Sequence, residues 1–140
     1  MRVRNLSLVF IGICILIITG CSNIVGNEEQ RIEVQKNIGD NEYEDFKVVT
    51  DNNEVMQVKK ILKDTTFENK KVEMSRPPDY QFVFQFKNPK IEAKAVLYQI
   101  WVSANKEKLE IKAGDNQYAQ LEGKHAATLF QIVTGEKLAE

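Results

Sequence analysis

Two cysteines and one histidine in 140 residues leave little material for a metal site, a thiol nucleophile or imidazole catalysis. So few cysteines also exclude a disulfide scaffold. Charge of one sign is missing too. Nineteen basic residues face 20 acidic ones for a formal net charge of −1, whereas a nucleic-acid partner wants a basic surface. The chain has no glycine-rich phosphate loop, no Gly-x-Ser-x-Gly elbow, no internal repeat and no low-complexity tract. What it does have is 43% hydrophobic residues, too many for a wholly disordered chain and enough for one modest domain.

The long apolar run is confined to the start. Arg2 and Arg4 form a positive n-region, and Leu6 to Ile18 is almost wholly apolar, broken only by Ser7 and Gly12. At about 13 residues this run fits a signal-peptide h-region and falls short of the roughly 20 that a spanning helix needs. Ile18-Thr19-Gly20-Cys21 follows with the form of a bacterial lipobox. The spacing suits the chemistry: small residues admit a peptidase before Cys21, and the cysteine sulfur, as thiolate, attacks a diacylglycerol donor. Each buried methylene of the acyl chains adds about 0.8 kcal/mol, and two chains anchor stably where one does not. The competing reading, an uncleaved anchor helix that ends in cysteine, suits the short run poorly. The expectation is therefore a signal peptide over 1–20, lipidation at Cys21 with palmitate-type chains, and a lipid anchor on the extracytoplasmic face of the cell membrane. Cleavage would lower the basic count from 19 to 17 against 20 acids, a formal charge of −3, and would leave Cys21 as the sole cysteine.

Residues 21–45 read as the lipidated N-terminus followed by an acidic tether, with seven acids against Arg31 and Lys36 and no sustained apolar period. Calcium capture by Asp40 to Asp45 is the weaker reading, because no glycine-turned loop places ligands at alternate positions. Residues 46–140 read as a single α+β domain. Phe46 to Thr50 suits a short strand. Asp51 and Glu54 stand in capping-box spacing before Val55, Val58, Ile61 and Leu62, which predicts a helix over 52–63. Phe67 to Met74 suits a second strand. Tyr80 to Phe86 alternates strictly, with Tyr80, Phe82, Phe84 and Phe86 on one face. Strands are expected at 92–102, 107–113 and 117–121, and a final helix at 124–134 with Gly135 as its cap. The loops after Tyr80–Phe86 are too short for parallel crossovers, so these four strands form an antiparallel meander. The expected fold is an antiparallel sheet of five to six strands with two helices packed on one face, behind a signal peptide and flexible tether.

The expected functional surface is the open sheet face. The strand at 92–102 is apolar on both sides, with Val96, Tyr98, Ile100 and Val102 against Ala95, Leu97, Gln99 and Trp101. Either a loop or the linker covers its second face, or an aromatic docking patch is left open. The patch reading selects Leu97, Gln99 and Trp101, or Tyr98 and Ile100 if the register is reversed. His125 near the start of the last helix suits capping or exposure better than catalysis. Ser75 and Ser103 occupy turns. The basic stretch of Lys59, Lys60, Lys63, Lys70, Lys71 and Arg76 is interleaved with Asp64, Glu68 and Glu73, as on a solvated face.

Several blocks carry a resemblance. The lipobox, the turn Pro77-Pro78-Asp79-Tyr80, the block from Tyr98 to Ile111 (YQIWVSANKEKLEI) and the ending from Leu129 to Leu138 (LFQIVTGEKL) resemble small lipoproteins of Bacillus-type bacteria that carry a YhfM-like domain. The likeness spans about residues 46–138. It implies a lipid-anchored domain on the outer face of a Gram-positive cytoplasmic membrane, and it brings no assigned activity or substrate. The functional expectation is a non-catalytic binding module without cofactor, a monomer, whose partners are the membrane through its lipid and a protein or cell-wall component. The alternatives are an accessory envelope lipoprotein without a dedicated ligand and a carboxylate-dependent hydrolase.

Overall fold

The computed structural model describes residues 28–139. The expected signal peptide, the expected lipobox and Cys21 lie outside the described residues. Among the described residues no helix is long and apolar enough to cross a membrane.

The chain runs β1 (Gln30–Gly39), β2 (Glu42–Val49), α1 (Asn52–Asp64), β3 (Glu68–Asn69), β4 (Tyr80–Phe86), β5 (Tyr98–Val102), β6 (Lys108–Ala113), β7 (Gln117–Glu122) and α2 (Gly123–Thr134). The strands form one seven-stranded sheet in the order β2-β1-β4-β5-β6-β7-β3, and every neighbouring pair is antiparallel. The meander from β4 to β7 is as expected. The strand count is higher than the five to six expected, because the segment taken for a tether supplies β1 and the first half of β2.

That hairpin was hidden by its own geometry. Ile32 and Val34 alternate inward, but Lys36 follows them on the same face. In β2 a register shift opposite Val34 and Gln35 makes Phe46 an extra residue, a bulge that breaks the period of two. Phe46 then packs on Tyr80 with ring centroids 5.6 Å apart, and Lys47 Nζ donates to the Ile132 carbonyl at 2.8 Å. The tight turn between the strands sets Asp40 and Asn41 at φ 50° and 63°. These residue types tolerate the left-handed region that a two-residue hairpin requires. Asp40 to Asp45 are thus turn and strand, not a calcium loop.

Helix α1 starts where expected, with the Asp51 carboxylate accepting from the Asn53 and Glu54 N–H groups at 2.8 and 3.1 Å. Val55, Val58, Ile61 and Leu62 are its buried stripe. Helix α2 buries Ala126, Leu129, Phe130, Ile132 and Val133, and ends at Gly135, whose φ of 78° suits glycine. Both helices contribute to one core with Ile32, Val34, Tyr80, Phe82, Ile100, Leu109, Ile111 and Leu121 from the inner sheet face. Phe82 stacks on Tyr98 at 5.0 Å, and Phe84 meets the same ring edge-on at 5.8 Å.

Two further expectations change. The strand at Phe67–Met74 shrinks to Glu68–Asn69, and the strand at 92–102 is regular only from Tyr98, with residues 92–97 exposed. The short β3 has a topological consequence. It lies at one edge beside β7, while the next strand, β4, lies on the far side of β5. The connection must therefore cross three strands.

Candidate functional site

The crossing takes place on the outer sheet face, away from the helices. Lys112 Nζ, on β6, donates to the Val72 carbonyl at 2.8 Å. The Trp101 indole N–H, on β5, donates to the Arg76 carbonyl at 2.8 Å. Residues 70–79 thus form a strap over half of the outer face. Its end is fastened by Asp79, whose carboxylate takes Arg76 at 2.7 Å and the Val102 N–H at 2.7 Å. The hydrogen bond to Asp79 and its charge push the Arg76 pKa up, so the guanidinium stays charged.

Strand register decides which residues share this face. Tyr98 and Ile100 turn inward to the core, so Leu97, Gln99 and Trp101 face out. Their environments differ. Trp101 is only 4% exposed, sealed beneath the strap, which corrects the expectation of an open tryptophan patch. Gln99 is half-buried at the strap's margin with Lys112. Leu97 is exposed at 39%. The physical reason is the covering loop weighed above: a strand apolar on both faces is covered on both.

Over β2, β1 and β4 the strap reaches only the hairpin end, where the Pro78 carbonyl accepts from Asn37 Nδ2 and the Tyr43 hydroxyl at 3.3 Å each, and the rest of that half is uncovered. A polar row crosses all seven strands in register, Asp45, Gln35, Gln81, Gln99, Lys112, Tyr118 and Glu68. Gln81 donates to Gln35 at 2.8 Å, and Gln35 donates to Asp45 at 3.2 Å. In the next row Glu33 lies between Val48 and Val83. Glu33, Gln35, Asp45, Val48, Gln81, Val83 and Leu97 line a shallow groove of about 410 Å³. Val48 stands 54% exposed on its wall. Beyond it, β2 is the sheet's long free edge, and Glu42, Glu44 and Asp45 along it are exposed. The sequence reading missed Glu33, Gln35, Val48, Gln81 and Val83 as a surface. The alternation Arg31-Ile32-Glu33-Val34-Gln35 was the signal for β1.

The remaining candidates fall apart in space. His125 is exposed in the first turn of α2. Ser103 Oγ is occupied by its own turn, accepting from the Lys108 N–H at 3.0 Å. Ser75 is exposed on the strap. Among the described residues no group of three His, Cys, Asp or Glu side chains is placed to hold a metal ion.

Together, the half-strapped antiparallel sheet and its uncovered groove define a small α+β domain with one open sheet surface. The family model for the YhfM protein matches residues 26–139. The chain belongs to the YhfM protein family. The match begins before β1, consistent with the hairpin being part of the domain. No curated protein and no solved structure matches the chain.

Proposed function

We propose that this protein is a lipid-anchored extracytoplasmic binding module whose contact surface is the uncovered half of the outer sheet face. The observation that carries the reading is the asymmetry of that face. The strap buries Trp101 on one half, while Val48 and Leu97 stay exposed on the other, beside a free strand edge. An edge strand with an adjacent groove suits an extended polypeptide that adds to the sheet through its backbone and lays alternate side chains in the groove. Glu42, Glu44 and Asp45, exposed along that edge, make the segment a basic one, while Glu33 is already paired with Arg31 at 2.8 Å. The same acids oppose pairing of β2 with a second copy, which fits a monomer. The anchor reading rests on Ile18-Thr19-Gly20-Cys21. With residues 22–29 between the lipid and β1, the domain would stand within about 30 Å of the bilayer.

The reading includes no catalytic step. Asp79 is committed to Arg76 and Val102, and Glu136 accepts from the Tyr80 hydroxyl at 3.4 Å. The test is photocrosslinking in cells from position 48, with position 125 as an exposed control, on the wild-type and Cys21→Ser backgrounds. Adducts at 48 on a basic segment, absent at 125 and lost with Cys21→Ser, are expected. Equal adducts at both positions would assign the protein to the accessory class without a dedicated ligand. An intact mass without lipid on the wild-type protein would remove the anchor.

A further inference from the structure

A second concavity lies at the sheet end where Tyr80 opens β4 and Val102 closes β5, under the tail that follows α2. It has a volume of about 350 Å³. Its floor is apolar, with Tyr80, Phe130 and Leu138 all buried. Its rim carries Lys36, Arg76, Lys106 and Lys137 against Asp79 and Glu136. Arg76 and Asp79 neutralise one another. None of Lys36, Lys106 and Lys137 forms an ion pair with any carboxylate among the described residues. Lys36 instead sits over the rings of Phe46 and Tyr80, 5.3 and 5.8 Å from their centroids. Three ammonium groups thus face one carboxylate, in a chain whose formal charge is −1.

Lys106 is held at φ 61°, a left-handed conformation that glycine adopts freely and lysine does not. Its carbonyl accepts from the Ala139 N–H at 2.8 Å, closing the tail over the cleft. The turn between β5 and β6 sets this conformation, with the Lys106 N–H donating to the Ser103 carbonyl at 2.9 Å, and it places Lys106 on the cleft rim.

We propose that this cleft binds a small anion, a phosphate ester or carboxylate carried on an apolar body, with Lys36, Lys106 and Lys137 meeting the charge and Tyr80 and Phe130 the body. The volume suits a ligand of a few to a dozen or so heavy atoms. The Tyr80 hydroxyl stays protonated at any physiological pH, because burial and then Glu136 push its pKa up to about 12. Its proton is given to Glu136, at 3.4 Å, so the anion is met by the ammonium groups alone. The proposal is independent of the outer groove, with which the cleft shares no lining residue.

The test is amide NMR of the full chain in uncharged detergent, titrated with phenyl phosphate, inorganic phosphate and benzyl alcohol. Saturable shifts at Val102, Ser103, Lys106 and Leu138 are expected with phenyl phosphate, weaker ones with inorganic phosphate and none with benzyl alcohol. Lys106→Gly relieves the left-handed position, so Tm should hold or rise while affinity falls about fivefold or more. Lys36→Gln, a variant outside that turn, should weaken binding in the same direction. Micelles doped with phosphatidylglycerol separate the two sources of such an anion. If they produce the same shifts, the ligand is a lipid headgroup, and if only phenyl phosphate does, it is a free solute. Absence of saturation, equal binding of benzyl alcohol, or unchanged affinity in both lysine variants would overturn the proposal.

Discussion

Replacing Trp101 with alanine tests the strap directly. The indole is 4% exposed on the outer face of β5, between the sheet and residues 70–79, and its N–H reaches the Arg76 carbonyl at 2.8 Å. Truncating a buried tryptophan costs about 3–5 kcal/mol through lost contacts and the void left behind. Of this, the hydrogen bond accounts for about 1 kcal/mol, because the exposed Arg76 backbone can take water in its place. Trp101→Phe keeps much of the ring and should cost about 1–2 kcal/mol. For a domain of this size each kcal/mol lowers Tm by about 4 °C, so Trp101→Ala should melt about 12–20 °C lower. Urea denaturation followed by far-ultraviolet circular dichroism is the appropriate assay, since the variant loses the chain's sole tryptophan. In the wild type, that tryptophan should resist acrylamide quenching. A loss below about 1 kcal/mol for Trp101→Ala, at unchanged slope in urea, would show that the strap does not seal the residue. The division of the outer face into covered and open halves would then fall.

Two other outcomes follow from the hydrogen bonds. Asp79→Ala leaves the Val102 N–H without its 2.7 Å acceptor and releases Arg76, so a loss of about 1–3 kcal/mol is expected in the same urea assay. An unchanged midpoint would deny Asp79 its fastening role. All four tyrosines have raised pKa values: Tyr43, Tyr80, Tyr98 and Tyr118, each first through burial, with Tyr80 reaching about 12. Below the ordinary tyrosine value the phenols are protonated in both states, and their contribution to stability is fully present. Above it the unfolded chain loses its protons first, so stability falls as pH rises toward 12. Tyrosinate absorbance should therefore appear late and together with unfolding, and an early titration that leaves the fold intact would refute the assignment.

How much was legible along the chain depended on whether local pattern and tertiary role agreed. The period of the apolar residues in α1 and α2, and the strict alternation of Tyr80 to Phe86, report burial on one face, and the structure uses them so. Loops too short for a crossover made the meander of β4 to β7 readable without coordinates. The blocks that resemble the YhfM family are legible for the same reason, since they are stretches of contiguous residues.

What only the tertiary structure decided is what lies between distant residues. The bulge at Phe46 and the inward-facing Lys36 and Lys47 hid the first hairpin, because their partners are Tyr80 and the end of α2, far along the chain. Whether residues 70–79 add a strand or cross the sheet depends on β3 pairing with β7, a choice made by the sheet order and not by their own composition. That one choice buries Trp101 and leaves Val48 and Leu97 open. The cationic cleft is likewise invisible in one dimension, since Lys36, Arg76, Lys106 and Lys137 meet only when the strap and the C-terminal tail close on the same sheet end. Periodicity reports which face of an element is buried, whereas the identity of what buries it is set by contacts between segments far apart in sequence.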